Sequence, residues 1–318
     1  MTLHAIILAA GKGTRMKSKK VKTIHDVAGI PVINKVINNL EELNISSMCI
    51  VVGFQSDDVL KTVTSTKVEF VTQKEQLGTG HAVIQTEENF KNKEGDIIIL
   101  PGDAPLISAK TLNDFYLYHK KTDAHISVLS TSMPDPTGYG RIIRDKSDQV
   151  LKIVEQKDAT EDERLVKEIN TGIYCVSKSV LFQSLKSITT DNKQKEYYLT
   201  DIIQIAKNNG QSVYSYVANN YREFQGINSR KDLSDVSLYL YQLKNELLMN
   251  NGVTIIDPNT TYIEHNAIID QDTIIYPGVY IKGHSIIGNN CVIGSNTYIE
   301  NGIVPDNTVI LPNQNIIA

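Results

Sequence analysis

Residues 5–16 read AIILAAGKGTRM, and on this stretch the reading of the chain turns. Ala5 to Leu8 form an apolar run with no polar face, as in a strand covered by helices on both sides. Gly11 and Gly13 follow at once, and two glycines let backbone N–H groups converge on a phosphate with no Cβ in the way. A dinucleotide fingerprint would need a third glycine where Met16 stands, and a P-loop would need Gly-Lys-Ser/Thr at the helix start, so neither template fits. Lys12, Arg15, Lys17, Lys19, Lys20 and Lys22 put six cations into eleven residues. Alone, such a run is a solvated basic loop; attached to the glycine turn, it favours a triphosphate site.

Working outward, short apolar runs at 48–52, 97–100 and 126–129 alternate with amphipathic stretches at 31–43, 78–90 and 108–121. The rhythm is βαβ, which predicts an α/β fold with a doubly wound, mainly parallel sheet and ligands at the carboxyl ends of its strands. Pro101-Gly102-Asp103 ends one such strand, where a carboxylate is placed to ligate Mg²⁺; in isolation the same aspartate reads as a turn residue.

From Ser229 to Asn251 the pattern changes to a helix. Leu233, Val236, Leu240, Leu243 and Leu247 share one face, Ser229 with Asp232 makes a capping box, and Gly252 stops it. After it, Ile263, Ile269, Ile275, Ile281, Ile287, Ile293 and Ile299 fall on every sixth residue with Gly or Asn between them. A six-residue apolar period predicts a parallel β-helix of about three coils. Residues 304–311 break the register and read as a terminal cap. The expected organisation is an α/β domain over 1–228, a connecting helix over 229–251 and a short hexapeptide-repeat β-helix over 252–318.

Composition narrows the function. With 318 residues, 41% hydrophobic, 21% charged and 9 prolines, long disorder is excluded. Lys+Arg number 32 against 36 Asp+Glu, net -4, so a general polyanion surface is excluded, no nucleic-acid partner is expected and any phosphate site is local. Cys49, Cys175 and Cys291 are scattered and odd in number, which argues against disulfides and zinc and fits a reducing cytoplasm. The N-terminal apolar run lacks a basic start, and no later stretch reaches spanning length, so no membrane partner is expected.

Several further strings now matter together: Lys22 with Ala28-Gly29-Ile30-Pro31, Gln73 with EQLGTGHA (75–82), PTGYGRI (136–142), VEQKDAT (154–160), EINTGI (168–173), EYYLTD (196–201) and GIN (226–228). In order and spacing they resemble the nucleotide-sugar pyrophosphorylases, and within them the bacterial N-acetylglucosamine-1-phosphate uridylyltransferases, from Ala5 to about residue 300. The resemblance implies a Rossmann-like nucleotidyltransferase domain and a left-handed β-helix that packs as a homotrimer. It implies Mg²⁺-dependent transfer of uridylyl from UTP to N-acetylglucosamine 1-phosphate, giving UDP-N-acetylglucosamine for cell-wall precursors. The acetyltransferase activity that bifunctional relatives carry in later coils is expected to be absent.

The resemblance also implies roles. Arg15 and Lys22 are the catalytic cations. Leu8, Ala9, Ala10, Gly11, Gly13, Thr14, Pro101 and Gly102 contact the nucleotide, and the paired donor and acceptor of the Gln73 amide, with Gly78 and Thr79, read uracil. Gly140, Glu155 and Asn170 contact the sugar, and Asp103 and Asn228 hold Mg²⁺. His25, His81 and His125 need no part in the chemistry. Two alternatives stay open here: the same reaction on another sugar 1-phosphate or nucleotide, which Gln73, Glu155 and Asn170 would decide, and a silent nucleotide-sugar-binding or scaffold protein. Retention of Lys22, Asp103 and Asn228 together argues against the second.

Overall fold

The computed structural model describes residues 2–53 and 56–318. The chain divides into two compact units, one of residues up to Ile24 with Val32–Gly226, the other of His25–Pro31 with Ile227–Ala318.

In the first unit seven strands form the spine of one sheet, in the order Val213–Ala218, Ile126–Ser132, Glu168–Ser177, Asp96–Pro101, Leu3–Ala9, Ser47–Val52 and Val68–Thr72. Leu3–Ala9 is central and parallel to both neighbours, with Ile6 opposite Cys49 on one side and Ile99 on the other. Successive residues point to opposite faces of a strand. Accordingly Ile97 and Ile99 join one hydrophobic core, while Ile98 and Leu100 join the other. This two-sided burial explains the unbroken apolar runs. Glu168–Ser177 departs from the parallel pattern: it runs antiparallel to both its spine neighbours. It also pairs antiparallel with Gly140–Arg144, which carries Val150–Val154 at its far side. The expected helix over 78–90 is split into Thr79–Ile84 and Glu87–Phe90, while 108–121 forms one helix, Ala109–Lys121, capped by the Ser108 hydroxyl. No helix among the described residues is long and apolar enough to cross a membrane.

The second unit is built on the helix Arg230–Asn250 and a three-sided β-helix. The expected capping box is present: the Ser229 hydroxyl accepts from the Asp232 N–H at 3.2 Å, and Asp232 accepts from the Ser229 N–H at 2.8 Å. Only the N-terminal part of the expected stripe packs inward, Val236 buried and Leu233 and Leu240 half-buried. Further along, Asn245 and Leu248 are buried, whereas Leu243 and Leu247 are 42% and 54% exposed. The Asn245 amide donates to the Pro258 and Thr261 carbonyls at 3.0 and 2.8 Å, and Tyr241 packs edge-on to Tyr262.

In the β-helix the sixth-residue isoleucines stack in columns, with Ile263, Ile281, Ile299 and Ile316 in one and Ile275, Ile293 and Ile310 in another. Residues 304–311 are not a cap. Val304 stands over Ile287 and Ile310 over Ile293, both buried, so the solenoid continues with a single residue omitted between Ile299 and Val304. Gly302 makes the shorter turn feasible, since a Cβ there would lie 2.9 Å from Ile299 and 3.0 Å from Ile316. Before it, left-handed Gly278 and Gly283 turn two corners of the coil.

Candidate active site

A cavity of about 390 Å³ opens at the carboxyl ends of the central strands, within the roughly 300–1,000 Å³ typical of small-molecule sites. Leu8 to Gly11 form one wall, running off the end of strand Leu3–Ala9. Pro101 and Asp103 come off the neighbouring strand, Asp96–Pro101, and Lys22 reaches the same space from the short helix Lys22–Ile24. The Lys22 ammonium is ion-paired with Asp103 Oδ2, both side chains mostly buried. Gly13 serves this placement twice: it is left-handed, at φ 58°, and a Cβ on it would sit 2.9 Å from the Lys22 Cβ.

Opposite, Gln73 is 3% exposed and follows strand Val68–Thr72. Its Nε2 donates to the Gly78 carbonyl at 3.1 Å and lies 3.0 Å from His81 Nδ1. One N–H is thus taken by the Gly78 carbonyl, and His81 Nδ1 stands within reach of the other. The loop that carries Gly78 and Thr79 is zipped to Tyr197–Leu199. Tyr197 N donates to Leu77 O and Gly80 N to Tyr197 O, each at 2.8 Å, and Thr79 Oγ1 accepts from Leu199 N at 3.1 Å.

The far end is acidic. Asn170 is 8% exposed and donates to the Tyr174 hydroxyl at 2.7 Å, while its oxygen accepts from Gly172 N at 3.1 Å. A register shift between Asn170 and Ile173, with Gly172 left-handed at φ 78°, makes the bulge that carries Asn170. Burial pushes the Glu155 carboxyl above the usual range, and Asp158, Asp201 and Glu196 push it further. Such a carboxyl suits hydroxyl-rich ligands better than anionic ones.

Asp201 is pushed up to about 6 by burial, with Asp158 adding. Folded protein therefore binds this proton more tightly than the unfolded chain, whose aspartates titrate near about 4. Stability is lost as pH rises from about 4 through about 6. Asp201→Asn removes the loss and is expected to stabilise the protein by on the order of 1 kcal/mol at pH 8, the gain vanishing at pH 4. Thermal melts at both pH values check this, and equal shifts at the two would contradict it.

The structure does not bring every expected residue to the cavity. Neither Gly102 nor Gly140 lines it: Gly102 is packed tightly against Ile7, Ala9 and Ile33, and Gly140 stands beside Asn170 and Ile153 at ordinary contact distance. Gly13, Thr14 and Arg15 lie outside its lining, and Arg15 is exposed. Asn228 belongs to the second unit, its N–H bonded to Asp232 at 2.9 Å. Thr23, Gln76, Ala82, Gly172, Tyr174, Glu196, Leu199 and Thr200 line the cavity without having been expected there. Tyr174 was accessible to reasoning as the residue four after Asn170 in one strand, and Glu196, Leu199 and Thr200 as members of the EYYLTD string.

Among the described residues no three His, Cys, Asp or Glu side chains are grouped to hold a metal. A hard cation that keeps its waters and takes phosphate oxygens needs only one or two carboxylates, and Asp103 is a carboxylate in the cavity beside the Lys22 ammonium. The donor set therefore fits Mg²⁺ rather than a metal held wholly by protein.

A glycine turn, a cation and a carboxylate thus meet at the carboxyl edge of a doubly wound sheet, where α/β folds bind their ligands. Residues 4–237 match the nucleotidyl transferase family, and the chain belongs to it; residues 266–301 match the bacterial transferase hexapeptide, six repeats. The chain is 44% identical over 309 residues to the bifunctional protein GlmU of Levilactobacillus brevis, covering 97% of this chain and 67% of that one. It is 46% identical to the protein of the same name from Bacillus licheniformis, over 86% of this chain and 60% of that one, and 45% identical to that of Enterococcus faecalis, over 90% and 62%. The chain thus spans about 60 to 67% of the length of these relatives. A crystal structure of UDP-glucose pyrophosphorylase complexed with UDP-glucose shares the fold, with a TM-score of 0.62 over 76% of this chain and all of that one, at 18% identity.

Proposed function

We propose that the chain transfers a uridylyl group from UTP to N-acetylglucosamine 1-phosphate, releasing pyrophosphate and UDP-N-acetylglucosamine. What carries the proposal is the single cavity shared by the Leu8–Gly11 wall, the Lys22–Asp103 pair, Gln73, Glu155 and Asn170. An oxygen of the sugar phosphate bonds to the α-phosphorus of UTP, and the bond from that phosphorus to the β-bridging oxygen breaks. The attacking phosphate is already an oxyanion, so no general base is required. The protein's task is placement and charge neutralisation.

Backbone N–H groups around Gly11 face the nucleotide phosphates, and Lys22 neutralises charge on the oxygens of the transferring group. Arg15, exposed in the free protein, meets the leaving pyrophosphate. Mg²⁺, when bound at Asp103, supplies further charge neutralisation at the phosphates. The part of Asn228 in holding it rests on the sequence resemblance alone. Gln73 takes the base; Asn170 and Glu155 take the sugar, Asn170 hydrogen-bonding its amide or hydroxyls and Glu155 its hydroxyls. The test is a coupled assay of pyrophosphate release across a panel of nucleotides and sugar phosphates.

We further propose that the chain works as a homotrimer in the cytoplasm, where its three buried, unpaired cysteines stay reduced. Support for self-association comes from a column on one face of the β-helix, where Ile268, Ile286 and Ile303 stack in register and are 54%, 42% and 73% exposed. Stacked exposed isoleucines are a liability in a monomer. Ile286→Glu is expected to leave the melting curve of the β-helix intact and reduce the mass seen by light scattering from three chains to one. An unchanged mass would rule out this face.

A further inference from the structure

We propose that His81 is a positioning residue for base selection: its Nδ1 lone pair holds the Gln73 amide so that only Oε1 faces the base. The inference rests on the uridylyl-transfer reading above and deepens it.

The Gly78 carbonyl can only accept, so the Gln73 Nε2 at 3.1 Å from it must be the NH₂ group. The same NH₂ lies 3.0 Å from His81 Nδ1, which must then accept, leaving the imidazole proton on Nε2. Gln85 Nε2, at 3.2 Å from His81 Nε2, makes the opposite demand, and a neutral ring accepts at only one nitrogen. Each amide has a second acceptor, the Gly78 carbonyl for Gln73 and the His81 carbonyl, at 3.2 Å, for Gln85, so burial decides between them: Gln73 is 3% exposed and Gln85 only half-buried. Gln85, at the C-terminal cap of the helix Thr79–Ile84, is the one that can give up its carbonyl bond to water and present its oxygen to the ring N–H. The ring itself is held against Tyr197, centroids 6.2 Å apart, in the segment that zips down the Gly78 loop.

A fixed Oε1 pairs with a ring N–H and repels a ring nitrogen lone pair. Uracil presents N3–H and cytosine presents the lone pair at the same place. With the Gly78 carbonyl as its only acceptor the amide gives up one hydrogen bond to turn over and serve cytosine, and with His81 as well it gives up two, so full selection against cytosine needs the His81 bond as well as the glutamine.

Binding of UTP and of CTP to the full chain is measured by calorimetry with His81→Leu, which removes the acceptor, and His81→Asn, whose Oδ1 stands where Nδ1 stood. The preference for UTP is expected to fall at least tenfold in His81→Leu and to stay within about threefold of the parent in His81→Asn. An unchanged preference in His81→Leu overturns the proposal, and so does an equal loss in both variants, since ring bulk would then be responsible. Should His81→Leu not fold, ¹⁵N NMR of the parent protein decides: the Nε2–H tautomer is expected, and the Nδ1–H tautomer overturns the proposal. If the parent binds neither nucleotide, the uridylyl-transfer reading fails, while the tautomer still reports on the His81–Gln73 bond.

Discussion

Lys22→Ala is expected to lower kcat for uridylyl transfer by about 10²–10³-fold, roughly 3–4 kcal/mol of transition-state stabilisation. The ammonium sits in the cavity ion-paired to Asp103, already desolvated and aimed, so it needs no reorganisation as charge builds on the phosphate oxygens. Its loss removes an interaction that strengthens in the transition state, so kcat and kcat/KM fall together while the KM for UTP moves little. Removing one partner of this mostly buried pair leaves Asp103 uncompensated and costs about 1–3 kcal/mol of stability, limited by the water that the cavity readmits. Steady-state kinetics beside a thermal melt separate the two effects. A turnover within threefold of the parent would remove Lys22 from the chemistry.

Gly78→Ala is expected to destabilise the first unit strongly and to weaken the site at the same time. Gly78 has φ 114° and ψ 174°, a region essentially closed to residues with a Cβ. That Cβ would also stand 2.5 Å from Tyr197 O and 2.8 Å from Tyr197 N, both backbone atoms that cannot swing aside. Strain and displacement together cost about 3 kcal/mol, which in a unit of this size lowers Tm by roughly 6–12 °C. Because the Gly78 carbonyl also anchors the Gln73 amide, UTP affinity should fall in the same variant. A melt within 2 °C of the parent, with unchanged UTP affinity, would show that the loop accommodates the methyl group.

Periodic features were legible in the sequence because they follow from burial alone. Two-sided strands such as Ile97–Leu100 and the sixth-residue isoleucines announce where their side chains go, and the Ser229–Asp232 box appears as read. Polar commitments were harder to see. Asn245, buried by its bonds to the Pro258 and Thr261 carbonyls while Leu243 and Leu247 stay exposed, looks in sequence like any surface asparagine. The antiparallel Glu168–Ser177 reads as one more apolar strand, since direction is set by neighbours and not by composition. The His25–Pro31 segment shows no local sign of belonging with the β-helix; the tie is His265 N to Ala28 O at 3.1 Å, across most of the chain.

At the site, the motif strings located the cavity wall, but not which glycines line it. Gly102 stands between the cavity residues Pro101 and Asp103, yet its missing Cβ makes room for Ile7 and Ile33, and the string that holds Gly140 contributes no lining residue at all. Nor does a glutamine in a sequence disclose where its two N–H bonds are used.

The most direct test of the account is pyrophosphate release by the purified protein with Mg²⁺, UTP and N-acetylglucosamine 1-phosphate, run beside CTP, dTTP, glucose 1-phosphate, glucosamine 1-phosphate and a metal-free control. Rapid release with UTP and the N-acetylated sugar, lost without Mg²⁺ and weak with the other pairs, is the predicted result. Release confined to another pair would contradict the substrate assignment, and no release with any pair would contradict uridylyl transfer itself.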